Sequence, residues 1–99
     1  MTGAQMIARE RTRQRVQEGW DARHDNGHDR EELALAAACY ALPSDARERD
    51  IWGRALWLRL WPWEQRWWKP NRQDRIHELI KAGALIAAEI DRLQREASA

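Results

Sequence analysis

Residues 76–93 read IHELIKAGALIAAEIDRL, and the periodicity of this stretch decides the fold. Ile76, Leu79, Ile80, Gly83, Ile86, Ala87, Ile90 and Leu93 recur at steps of three and four, the spacing that gathers side chains on one face of an α-helix. The pattern predicts a long helix over residues 72–95, with Asn71 as its cap directly after Pro70. In its middle, Ala82-Gly83-Ala84 removes side-chain bulk. A neighbouring helix or a ligand can approach closely there, the helix being the simpler reading.

The same helical signal runs outward along the chain. β-branched residues are scarce: one Val, two Thr and six Ile among 99 residues. Ala, Leu, Arg, Glu and Gln, which lose little rotamer freedom in a helix, fill most positions. No stretch alternates with period two. Residues 31–42, EELALAAACYAL, predict a helix that is apolar around most of its circumference and therefore central and buried, starting at Asp29 with Glu32 as in a capping box and stopping at Pro43. From Ser44, SDARERDIWGRALWLRLW predicts a third helix with Ile51, Trp52, Ala55 and Leu58 on one face, stopped by Pro62. Residues 2–18 predict a first helix with only Met6, Ile7 and Val16 as an apolar stripe, ended by Gly19. WDARHDNGHD, with its Asn26-Gly27 turn signal, predicts a loop. The expected architecture is all-α: a single domain, residues 1–99, folded as a compact bundle of about four helices, with a Trp-rich irregular segment between the last two.

Composition narrows the functions. A chain this short buries only somewhat more than half of its unfolded surface, so its core is thin. Seven Trp and no Phe compensate in part, since each indole buries roughly 150 to 250 Å². Such a core invites completion by self-association or by a ligand, and a homo-oligomer is the expectation. Seventeen basic and sixteen acidic residues leave a net charge of +1, which provides no counterion-release drive toward duplex nucleic acid and no attraction to an anionic membrane. The lone Cys39 forms no internal disulfide, and neither a membrane span nor a signal peptide is visible, pointing to a reducing cytoplasm.

ARERTRQRVQEGWDARHD, ELALAAACYALP, WPW, WWKP and IKAGALIAAEIDRL occur in that order. As a set, over residues 7–93, they resemble a family of small proteins encoded by tailed bacteriophages and prophages. The resemblance implies a phage-encoded accessory gene acting in the cytoplasm of an infected bacterial host. It brings neither an activity nor catalytic residues.

Three constellations carry candidate chemistry. In HDNGHD, His24, Asp25, His28 and Asp29 are metal-ligand types, but an Asn-Gly turn between the two His is poor ground for the continuous helix that presents a His pair to zinc. A hydrogen-bonded loop, or polar groups facing a ligand, are the readings preferred, and no metal is expected. A magnesium-dependent nucleotide pyrophosphohydrolase needs carboxylates at i, i+3 or i+4 on two helices; Glu31 and Glu32 are followed by Leu35, Ala36 and Cys39, and Glu78 and Glu89 stand eleven apart. Cys39, deep in an alanine-rich stretch, reads as inert packing.

The third constellation is WPWEQRWWKP, residues 61–70, within a segment holding six of the seven Trp. Indole faces beside cations suit planar anions, because bases stack on them and phosphate oxygens accept charge-assisted hydrogen bonds. Subunit packing and Arg stacked on Trp for structural reasons are the alternatives. The expected ligand-binding set is Arg11, Gln14, Trp20, His24, Asp25, Tyr40, Trp61, Trp63, Trp68, Lys69, Arg75 and Lys81, with no catalytic residue and no cofactor. The expected function is non-enzymatic: a counter-defence protein sequestering a phosphorylated, nucleotide-type small molecule such as an immune second messenger. A Trp-rich inhibitor that docks on a host protein is the alternative from another class, and the metal-dependent hydrolase stands third.

Overall fold

A computed structural model describes residues 1–49, 52 and 54–98. Among these the chain is all-α, with three helices of substantial length and three short ones: α1 (Gly3–Gln17), α2 (Ala22–Asn26), α3 (Glu32–Ala41), α4 (Ser44–Glu48), α5 (Leu56–Leu60) and α6 (Arg75–Ser98). A single 3₁₀ turn, Gln65–Trp67, lies within the Trp-rich segment. The long α6 is the spine, packing against α3 and α1 and more lightly against α2.

Local chemistry explains the ends of these helices. Thr2 and Gln5 form a reciprocal capping box at the start of α1, each side chain satisfying the other's backbone N–H. Beyond its last turn Gly19 takes a left-handed conformation (φ +72°), and the Trp20 N–H turns back to donate to the Gln14 carbonyl. α6 begins at Arg75, three residues later than the sequence suggests, because Asp74 rather than Asn71 accepts the His77 N–H with its side chain. The Asn71 N–H instead donates to the buried Glu78 carboxylate, 2.8 Å away.

Three expectations are corrected. The loop of residues 20–29 contains a turn of helix, α2, capped by Asp21, whose carboxylate accepts the His24 N–H. Asp29 does not cap α3: the chain passes through a left-handed residue, Glu31 (φ 61°), and the helix starts at Glu32. The long third helix is not continuous. It breaks into α4 and α5, with extended backbone at Arg49 and Ala55. Tertiary demand overrides propensity here: Arg47 is fully buried and donates to Glu78 of α6 over 2.5 Å, which fixes α4 as a short turn against α6. Of the face expected on that helix, Ile51 lies outside the described residues, and Trp52 and Leu58 are exposed.

The core is thin and made of small residues. Leu33, Ala36, Ala37 and Tyr40 of α3 meet Ala82, Leu85 and Ala88 of α6, with Trp20, Trp61, Trp63 and Trp68 half-buried against them. α3 is less enclosed than its composition implies, since Leu35 and Ala38 face outward. The close approach foreseen at Gly83 is made by Ile7 of α1: a Cβ at that position would stand 2.5 Å from the Ile7 Cδ1. α1 also buries polar side chains, Glu10, Arg11 and Gln14, so ion pairs seat it together with the Ile7 contact, while Val16 of the expected stripe is exposed.

Candidate functional site

Between α1, α2, α3, α6 and the Trp-rich segment lies a cavity of about 760 Å³, within the range of roughly 300 to 1,000 Å³ typical of small-molecule sites. One wall is aromatic and continuous. The Trp20 ring stacks on His24 (5.7 Å between centroids, 6° between planes); His24 meets His28 edge-on at 4.9 Å, and His28 lies 5.2 Å from Trp63. The row continues through Trp61, perpendicular to Trp63 at 5.4 Å, to Tyr40 at 5.7 Å.

Behind this wall a buried ion pair fixes the geometry. Arg11 donates to Asp25 across 3.0 Å and to the Trp20 carbonyl across 3.2 Å, and the other Asp25 oxygen stands 3.0 Å from the His24 Nδ1. Arg11 therefore ties α1 to both the ring and the backbone of the α2 corner, leaving the His24 Nε2 as the nitrogen not engaged by Asp25.

The rest of the lining includes charged side chains. Arg13 forks onto both Glu10 oxygens (2.7 and 2.9 Å) and also reaches Glu18 at 2.9 Å. Burial raises the Glu10 carboxyl, but the Arg13 guanidinium and the Gln14 amide outweigh it and hold the group below its ordinary value. Glu10 is thus a neutralised anion. Lys81 lies over the Tyr40 ring at 5.0 Å, and Lys69 near the Trp67 ring at 5.8 Å; neither joins a salt bridge among the described residues. Burial pushes the Lys81 ammonium below its ordinary value, with Glu10 opposing.

Of the residues expected from sequence, Gln14, Trp20, His24, Tyr40, Trp61, Trp63, Lys69 and Lys81 line this cavity together. Arg11 and Asp25 stand behind it as supports. Trp68 is a layer further back, packed on Tyr40, Trp61 and Trp57 with Arg47 over its face. Arg75 is elsewhere: it grips the last carbonyls of α3, those of Tyr40, Ala41 and Leu42. Reasoning from sequence missed Glu10, Arg13 and Glu18 as lining residues. Their only signal is a regular charge alternation, which an ordinary solvated helix also shows.

Among the described residues no group of three or more His, Cys, Asp or Glu is arranged to hold an ion. His28 faces Glu32 at 3.4 Å, while Glu78 and Glu89 are buried beneath Arg47 and Arg92. Cys39 is fully buried, and burial pushes its thiol up to about 11, leaving it protonated and inert at neutral pH. No family model, no curated protein and no solved structure matches this chain.

Proposed function

We propose that the protein binds and sequesters a phosphorylated, nucleotide-type small molecule in this cavity without transforming it. The observation that carries the reading is the pair of cations outside any salt bridge among the described residues, Lys69 and Lys81, lining a cavity that indole and imidazole rings also line. Stacking a base on an indole contributes about 1 to 3 kcal/mol, and a phosphate accepts charge-assisted hydrogen bonds from the two ammonium groups. Arg13 neutralises Glu10 and Glu18, which would otherwise repel an anion. For a phage-encoded accessory protein, the corresponding role is counter-defence: withdrawing an immune second messenger from the cytoplasm of the infected host.

Titration calorimetry with a panel of cyclic dinucleotides and adenosine-diphosphate-ribose derivatives tests this. Saturable binding of one class is expected, with quenching of Trp fluorescence and recovery of the ligand intact. Silence across the panel removes the proposal, and magnesium-dependent turnover of a nucleotide replaces it with a hydrolase. A second reading, inhibition of a host enzyme through an aromatic surface, draws on Trp67, which is 53% exposed with Arg66 5.0 Å over its ring. A stoichiometric host protein retained through purification, with no small molecule in the native mass spectrum, selects that alternative.

A further inference from the structure

The side of α6 turned away from the cavity carries aliphatic residues that stand about half-exposed or more: Ile76 (66% exposed), Leu79 (45%), Ile86 (46%), Ile90 (52%) and Leu93 (45%). With Gly83 they fall at alternating intervals of three and four over eighteen residues, a mean period of 3.5. A surface helix needs no such seam, and a helix that meets another along its whole length does. The gap that Gly83 would leave is filled by Ile7, whose side chain lies against it, so the apolar strip is unbroken.

We infer that this seam binds a second copy of the chain, α6 against α6 and antiparallel, to form a two-fold dimer. The strip is self-complementary, as a two-fold contact requires. Its uncovered aliphatic surface is on the order of 400 Å² per protomer, within the roughly 300 to 600 Å² of the largest apolar patch on a typical monomer, which is often functional. It also matches the apolar share, a little over half, of the roughly 800 Å² that each partner contributes to a standard interface. Direction follows from the helix dipoles. Antiparallel pairing about the middle of the seam brings Leu93 opposite Ile76, Ile90 opposite Leu79 and Ile86 opposite the Ile7 that covers Gly83. In that arrangement the helix dipoles oppose. A parallel pair would align the two dipoles in the same sense. Lys81 and Leu85, the cavity residues of α6, point to the other side of the helix, so both cavities stay open in the dimer.

Sedimentation equilibrium at micromolar concentration tests the seam. The unmodified chain is expected at twice 11.7 kDa, and Ile90→Glu and Leu93→Lys at 11.7 kDa with unchanged helical circular dichroism. A monomeric unmodified chain, or a dimer that survives both substitutions, overturns the inference. For direction, Ile76→Cys mixed with Leu93→Cys is expected to form the disulfide-linked heterodimer, while cross-linking of Ile76→Cys alone overturns the antiparallel arrangement. Cys39, fully buried, does not compete. Ligand binding by the monomeric variants is expected to be unchanged, so failure of the dimer and failure of the proposed function are separately visible.

Discussion

Arg47 and Glu78 are the most consequential single residues outside the cavity. The guanidinium is fully buried, and the carboxylate, 1% exposed, also accepts from the Asn71 N–H and from Arg75. Removing one charge from such a pair strands the other without water. Glu78→Gln is therefore expected to destabilise the fold by about 3 kcal/mol in a denaturant titration, a large part of what a small domain has. Burial raises the Glu78 carboxyl, yet Arg47, Asn71 and Arg75 together hold it below its ordinary 4.5. A depressed folded value means stability that is complete above 4.5 and drains away as pH falls through the lower, folded value. The melting temperature should fall steeply on acidification below 4.5, and less steeply in Glu78→Gln; parallel slopes would assign the acid sensitivity to other groups such as Glu10. Lys81 has the opposite sign. Burial lowers its value, so the folded state resists its charge at neutral pH, and the cost disappears only as pH rises toward the unfolded value. Lys81→Met is expected to melt at a higher temperature than the unmodified chain and to lose roughly tenfold in affinity for a phosphorylated ligand. A variant less stable at neutral pH would show that Lys81 serves the fold instead.

At the level of helices, the contact between α1 and α6 turns on Gly83. A glycine inside a helix is unfavourable by roughly 0.5 to 1 kcal/mol relative to alanine, so Gly83→Ala would ordinarily stabilise α6. Here the added Cβ meets the Ile7 Cδ1 at 2.5 Å and its Cγ1 at 2.8 Å, and α1 must give way. Gly83→Ala alone is expected to destabilise by about 1 kcal/mol, and in an Ile7→Ala background to stabilise. Additive effects in that double-mutant cycle would show that the two helices do not press together there. The close approach is legible in the sequence because Ala82-Gly83-Ala84 is a local signal. So are Lys81, a lone cation in an apolar run, and the indoles of residues 61–63. What is not legible depends on partners far along the chain. The break between α4 and α5 follows from Arg47 reaching Glu78 thirty-one residues away. Arg75 reads as a free cation beside the Trp-rich segment, whereas it spends its donors on the end of α3. The 76–93 stripe shows the same limit from the other side: its period specifies the helix correctly but not that α3 and α1 pack on the neighbouring face, Ala82, Ala84, Leu85 and Ala88, leaving the larger residues outside.

For the whole molecule, two unfinished surfaces lie on opposite sides of one spine, and each predicts a different dependence of stability on concentration. The small-residue core leaves the protomer modestly stable alone, so anything that binds only the folded state shifts its melting visibly. Dimerisation through the α6 seam would make the melting temperature of the unmodified chain rise with protein concentration, and Ile90→Glu should abolish that dependence. A cavity ligand acts through its own concentration. At a hundred times its dissociation constant it adds about 2.7 kcal/mol, worth roughly 10 °C or more in a domain of this size. Because Lys81 and Ile90 face different sides of α6, the ligand-induced increment should be the same in Ile90→Glu as in the unmodified chain. Scanning calorimetry over a grid of protein and ligand concentrations reads both terms. An increment that shrinks in the monomeric variant would mean that the second copy shapes the cavity; an equal increment places recognition within a single protomer and leaves the dimer to set only the stability from which it starts.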